Sequence, residues 1–171
     1  MDNRLQTAET PASDEALGVE TGIGDNQRKA ISEGLAHVLA DSYTLLGKTH
    51  GFHWNVTGPQ FHSLHAMFQD QYEDLTEAVD EVAERIRALG HFAPGSLSQF
   101  LKLTRIQDEL GVPDARAMLE QLVRDNETVV RGCREVAKLA SEAEDTVTED
   151  LMNQRMQAHE KAAWMLRASF G

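Results

Sequence analysis

From about residue 26 onward, apolar residues recur at three- and four-residue steps, and no stretch keeps the two-residue alternation of a half-buried strand. Ile31, Leu35, Val38, Leu45 and Phe52 form one stripe, with Leu39 and Leu46 beside it, which predicts a helix over 26–56. Thr57-Gly58-Pro59 breaks that rhythm. Pro59 suits the first position of a second helix, because its φ is already helical and no partner is lost with its missing N–H. Phe61, Leu64, Phe68, Tyr72, Leu75, Val79, Val82, Ile86 and Leu89 carry the second helix to a stop at Gly90. Ser96–Leu103 reads as a short connecting helix. Pro113 and Asp114 open a third long helix that reaches Ala140, and Thr146-Val-Thr-Glu149 reads as a capping box opening a fourth, ending near Ser169. Gly132, inside the third helix, lowers helix stability by about 1 kcal/mol relative to alanine, so its presence points to close packing or to tolerance of that loss. The pattern predicts an all-α domain over 26–171: a four-helix bundle with a short extra helix between the second and third long helices. Residues 1–25 have few large apolar side chains and no period. Arg4 is their only basic side chain against six acids, and they read as a flexible acidic tail.

The chain's 171 residues are enough for one domain with its own core, and 41% hydrophobic with 26% charged residues is ordinary for a globular protein. The net charge of −12 disfavours nucleic acid as a general partner, since phosphate binding relies on Lys and Arg releasing counterions. No apolar run approaches the roughly 18 residues of a membrane span. The first residues also lack the basic-then-apolar order of a signal peptide, so a cytoplasmic location is expected. The single cysteine, Cys133, excludes an intrachain disulfide and is expected to be a packing residue.

The segment KTHGFHWNVTGPQFHSLHAMFQDQYEDL holds four of the seven histidines: His50, His53, His62 and His65. His53 continues the Leu39–Leu46 line and falls at the edge of the first helix's buried face. On the second helix His65 lies on the flank of the apolar stripe, while Glu73, Glu77, Asp80 and Glu84 fall nearly opposite it. A solvated acidic face and histidines capping helix ends account for these positions without any ligand. The other reading is a metal site of His53, His65, Asp80 and Glu84. Asp80 and Glu84 are one turn apart and can share an ion, and the two histidines can meet across the turn. His65 and Asp80, however, are fifteen residues apart on one helix, about 22 Å. One ion cannot be reached from both ends, so a second copy of the chain must complete the site, and a twofold dimer then carries two equivalent sites. The Glu-x-x-His pairs of intrachain di-iron bundles are absent, as is the His-Glu-x-x-His zinc motif.

HWNVTG, FHSLHAMF and DEVAERIRALG resemble the Dps proteins, mini-ferritins first described as DNA-binding proteins of starved cells, and TEDLMNQRMQAHEKAAWMLRASF is similar to the C-terminal part of many members. The resemblance covers residues 30–170. It implies a ferritin-like four-helix subunit in a hollow dodecamer. It also implies a ferroxidase site at each twofold interface, with His53 and His65 from one subunit and Asp80 and Glu84 from the other. Fe(II) is then the substrate, hydrogen peroxide the preferred oxidant, and a ferric mineral in the cavity the product, in keeping with mixed imidazole and carboxylate ligands.

One position departs from the family pattern. Many members carry an acid four residues after the second histidine, and here that position is Gln69, a weaker ligand for a second iron. His50 and His62, each three residues before a proposed ligand, suit either an orienting role or the surface. Trp54 suits packing, or interception of stray oxidising equivalents beside the iron. Trp164 suits packing. Glu73 and Glu77 suit mineral nucleation as well as a solvated face. Asp145 and Asp150, in the acidic cluster opening the fourth helix, match the region that lines iron-admitting pores in the family, although acids at a helix N-terminus are expected for dipole reasons alone. The rival function is a nucleoid-associated cage that coats DNA. Some relatives do this with basic tails, and this tail has the opposite sign.

Overall fold

The computed structural model of the chain describes residues 18–170. Of the expected tail, residues 18–24 are described and form no helix; residues 1–17 lie outside the described part. Five helices follow: α1 (Asp25–Asn55), α2 (Phe61–Ala88), α3 (Leu97–Leu103), α4 (Ala115–Glu142) and α5 (Thr146–Ala168). Among the described residues no strand occurs, and no helix is long and apolar enough to cross a membrane.

The helix ends show which local signals prevail. Asp114 caps α4 by accepting from the Ala117 N–H at 2.8 Å, and Ser96 and Gln99 close a reciprocal box at the start of α3. Two expected starts are corrected. Gly58 sits at φ 108°, the Phe61 N–H donates to the Gly58 carbonyl, and α2 begins at Phe61, so Pro59 belongs to the turn. At α5 the cap is Asp145, not Thr146. The Asp145 carboxylate accepts from the Thr148 N–H at 3.0 Å and from the Thr148 hydroxyl, and it also holds the Arg85 guanidinium at 2.8 Å. Burial pushes this carboxyl up, but the Thr148 and Arg85 bonds outweigh it and hold it below the ordinary carboxylate range.

Helices α1 and α2 pack as one hairpin and α4 and α5 as another, with α1 against α4 and α3 lying on α1. Leu35, Leu45, Phe68, Leu122, Met152 and Leu166 are fully buried between them. Two glycines permit close approach. A Cβ on Gly34 would stand 2.8 Å from Val136 Cγ2, and one on Gly132 would stand 2.0 Å from the Arg105 guanidinium. Close packing is therefore what Gly132 provides. Arg105 lies across α4 there and reaches Asp41 of α1, at 2.9 Å from Nε and 2.7 Å from Nη2. Asp41 is wholly buried and also accepts from the Arg105 N–H and the Thr104 hydroxyl, which fastens the chain after α3 to α1. Further along, Lys48 donates to Asp125 at 2.8 Å and to the Gln107 carbonyl at 2.5 Å. Burial lifts the Asp125 carboxyl above its ordinary value even with Lys48 beside it. Cys133 is fully buried and its thiol is pushed up to about 12, so it is a packing residue.

His159 is buried among polar partners. The Asn126 amide N–H donates to the Leu122 carbonyl, so Asn126 Oδ1 accepts from His159 Nδ1–H at 2.8 Å. Arg155, paired with Asp74, lies 3.4 Å from His159 Nε2. Burial and the nearby Arg155 charge push this imidazole down to about 3. Above the ordinary value of 6.5 both folded and unfolded chains are neutral here. Between 6.5 and about 3 only the unfolded chain takes up the proton, so stability falls with acidification. The expected slope from this group is about 1.4 kcal/mol per pH unit. Urea unfolding across that window should show it, and a His159→Gln variant, less stable at neutral pH, should lack it. An equal slope in both proteins would remove His159 as its source.

Candidate metal centre

The turn between α1 and α2, residues 56–60, brings the end of α1 beside the start of α2, and His53 and His65 meet there. Their rings stack with centroids 3.7 Å apart and planes 19° from parallel. Each ring is held by the other's main chain: His53 Nδ1–H donates to the His65 carbonyl at 2.8 Å, and His65 Nδ1–H donates to the His53 carbonyl at 2.8 Å. A carbonyl oxygen can only accept, so both Nδ1 atoms carry hydrogen, and in the neutral rings the lone pair falls on Nε2. This is the tautomer a metal-binding imidazole needs, with the opposite nitrogen already engaged. His53 is buried and His65 half-buried.

The orienting role that sequence spacing offered to His50 and His62 is thus filled by backbone carbonyls. His62 is exposed. His50 instead joins an aromatic stack, 4.3 Å from the Trp54 ring and 4.2 Å from the Tyr72 ring. Tyr72 in turn meets His53 edge-on at 5.2 Å. Trp54 is 66% exposed and Trp164 64%, so neither is a core residue of the single chain. Phe61, placed by periodicity in the apolar stripe, is 45% exposed and lies 5.2 Å from the His65 ring. Tyr72 was legible only as one more apolar step on α2. Its contact with α1 depends on how the two helices pack, and no local signal carries it.

Asp80 and Glu84 project from α2 as exposed side chains, as do Glu73 and Glu77. Among the described residues of one chain, no three His, Cys, Asp or Glu side chains converge as a metal would require. Gln69 donates its amide N–H to Glu73 at 2.8 Å, which leaves Oε1 as its one ligating atom. Asp150 is exposed and accepts from Gln154 at 2.7 Å. Asp145, expected at a pore, is 3% exposed and committed to its cap and to Arg85. Its carboxylate serves the α2–α5 contact.

Asp80 borders an open groove of about 520 Å³, lined by Leu39, Tyr43, Val79, Ala83, Pro94 and Phe100. On α3, Leu97 and Leu101 are exposed by 68% and 63%. Asp80 is therefore bordered by an uncovered apolar surface.

A model of the ferritin-like domain matches residues 32–171. A DNA protection during starvation protein 2 of Bacillus anthracis is 35% identical over 140 residues, 82% of this chain and 96% of its own length. A low temperature-induced protein of Nostoc is 43% identical over 152 residues, 88% of this chain and 85% of its own. The crystal structure of a Dps protein of Vibrio cholerae, described as a member of a broad superfamily of ferritin-like diiron-carboxylate proteins, superposes with a TM-score of 0.86 at 32% identity, covering 91% of this chain and 99% of that one. With the bundle, the short helix before α4 and the histidine pair at the first turn, these likenesses place the chain in the Dps family of ferritin-like proteins.

Proposed function

We propose that the protein is a ferroxidase that detoxifies and stores iron. Fe(II) binds between two copies of the chain, at His53 and His65 of one and Asp80 and Glu84 of the other. The observation that carries this reading is the reciprocal bonding of the histidines, which leaves both Nε2 lone pairs free for a borderline metal ion. The separation of His65 from Asp80 along α2, about 22 Å, and the absence of a three-ligand cluster among the described residues both fit a site completed by a second copy. The uncovered apolar groove beside Asp80 is the surface for that copy to bury.

At the site, two Fe(II) ions give one electron each to one hydrogen peroxide. The O–O bond breaks, and both oxygens leave at the oxidation level of water. The ferric product collects as mineral within a hollow dodecamer in the cytoplasm. Glu73 and Glu77 offer the carboxylates on which it begins, and Asp150 lines the entry path. Gln69, with one free oxygen already oriented by Glu73, is the weak ligand of the second iron. The names of the relatives also speak of DNA protection. In this chain the charge of −12 directs that role toward removing Fe(II) and peroxide rather than toward coating DNA.

The test loads the purified assembly with Fe(II) without oxygen, adds half an equivalent of peroxide, and follows ferric absorbance. The wild type should form soluble ferric species far faster than it does with air. His65→Ala and Asp80→Ala should each reduce oxidation to the rate of protein-free buffer while the oligomer persists in gel filtration. Wild-type rates in either variant would sink the assignment.

A further inference from the structure

We propose that the cavity between α2 and α5 binds a small hydroquinone, a para-dihydroxybenzene, which reduces stored ferric iron. That a phenol binds there rests on the cavity alone; the reduction rests on the iron-storage reading above.

The cavity encloses about 360 Å³. Met67 and Leu75 of α2 and Ala162 and Met165 of α5 give it apolar sides. Ala158 and Ala162, one turn apart on α5, leave the width that larger side chains would fill, and the space suits a single aromatic ring with its substituents. The deep end is polar and incompletely satisfied. Gln71 Nε2 is shut off from solvent and has no hydrogen-bond partner among the described residues. His159, 2% exposed, gives its Nδ1–H to Asn126 and so keeps the lone pair on Nε2. Arg155 Nη2 stands 3.4 Å from that nitrogen, long for a hydrogen bond, and already holds Asp74 at 2.7 Å.

An orphan donor and an underused acceptor lining one cavity call for a group that accepts and donates at once, which is a hydroxyl. A carboxylate only accepts and an ammonium only donates. Of the charged side chains around the cavity, Asp74 is paired with Arg155, and Asp70 and Lys161 are opposite in sign, so a neutral ligand is favoured over a charged one. A hydroxyl on an apolar ring matches both parts of the lining.

The mouth lies on a face that the storage reading already uses. Asp70 and Asp74 are exposed, and Glu73 and Glu77 stand three and seven residues after Asp70 on α2. The cavity therefore opens beside the carboxylates on which the mineral begins. A hydroquinone seated with one hydroxyl between Gln71 and His159 directs the other toward that face. It gives one electron to each of two ferric ions, its two hydroxyl protons pass to oxide of the mineral, and two Fe(II) and one quinone leave. The quinone has no hydroxyl hydrogen for His159, so it is held less tightly than the hydroquinone and makes way for the next.

Phenol and toluene are the probes of the site, because they share a shape and differ in the hydroxyl. In the iron-free assembly, calorimetric titration with phenol should show one site per subunit. Gln71→Met should weaken phenol by about tenfold and leave toluene unchanged, and Ala162→Leu should abolish binding of both. No phenol binding in the wild type, an unchanged affinity in Gln71→Met, or equal losses of phenol and toluene there would overturn the site. Because binding is read without iron, its failure is distinct from failure of the ferroxidase reading. In protein loaded with ferric mineral and kept free of oxygen, hydroquinone should then release Fe(II) to a ferrous chelator several-fold faster from the wild type than from Ala162→Leu. Equal release rates would overturn the reductive role.

Discussion

Subunits carrying His53→Ala and His65→Ala, mixed and reassembled with subunits carrying Asp80→Ala and Glu84→Ala, should recover about a quarter of the wild-type oxidation rate. Each parent assembly alone should be inactive. The recovery follows from the geometry of α2. Its fifteen-residue separation of His65 from Asp80 forbids one chain from supplying both halves. Random mixing makes half of the twofold pairs heterogeneous. In each such pair, one site combines the intact histidines of one chain with the intact carboxylates of the other, and the second site lacks both halves. A site contained in one chain would recover nothing at any mixing ratio. The measurement is the initial rate of ferric absorbance against the mole fraction of each variant, which should peak at equal amounts.

Asp41→Ala should destabilise the fold by about 3 kcal/mol, the lower end of the range for breaking a buried ion pair. The lower end applies because Arg105 keeps 36% of its side chain in solvent while Asp41 keeps none. Removing this carboxylate leaves the Arg105 guanidinium over Gly132 with only the exposed Glu135, and frees the Arg105 N–H and the Thr104 hydroxyl. The connection between α3 and α4 should loosen first, visible as faster hydrogen exchange over residues 104–114. Lys29→Ala is the control: its bridge to Glu33 is more than 60% exposed on both sides, so its loss should be close to zero. Urea midpoints that move equally in the two variants would contradict this ranking.

The four long helices were legible because their apolar stripes repeat over about six turns or more, and a pattern that long admits no other element. Their ends were less so. At α5, Thr146 and Asp145 are adjacent capping candidates of similar local merit. Asp145 prevails because it also receives Arg85, sixty residues away, which no window of sequence contains. Pro59 failed as a helix start for a similar reason, since Gly58 needs two further residues to complete its turn. At the site, spacing placed His53 and His65 together and set Asp80 and Glu84 apart from them. It did not show what holds the histidines. Spacing points to the neighbouring histidines as orienting groups, while the bonds run to main-chain carbonyls, which every residue has and none advertises. Residue type alone suggests packing for Trp54 and Trp164, yet both are exposed in the single chain, so apolar character does not fix which face of a helix the subunit's own core covers.

The exchange of bonds between His53 and His65 makes the two histidines a single inheritable unit. Each ring's tautomer depends on the other residue's backbone position, not on its side chain, so replacing one histidine leaves the carbonyl that steadies its partner in place. What the pair does require is two helices held at this distance by a turn of this length. A helical hairpin that keeps the twelve-residue spacing and the glycine at the bend carries the instructions for both imidazoles with it. Such a hairpin can be grafted onto an unrelated antiparallel scaffold as a ready half-site, to be completed by any second surface that presents two carboxylates one turn apart.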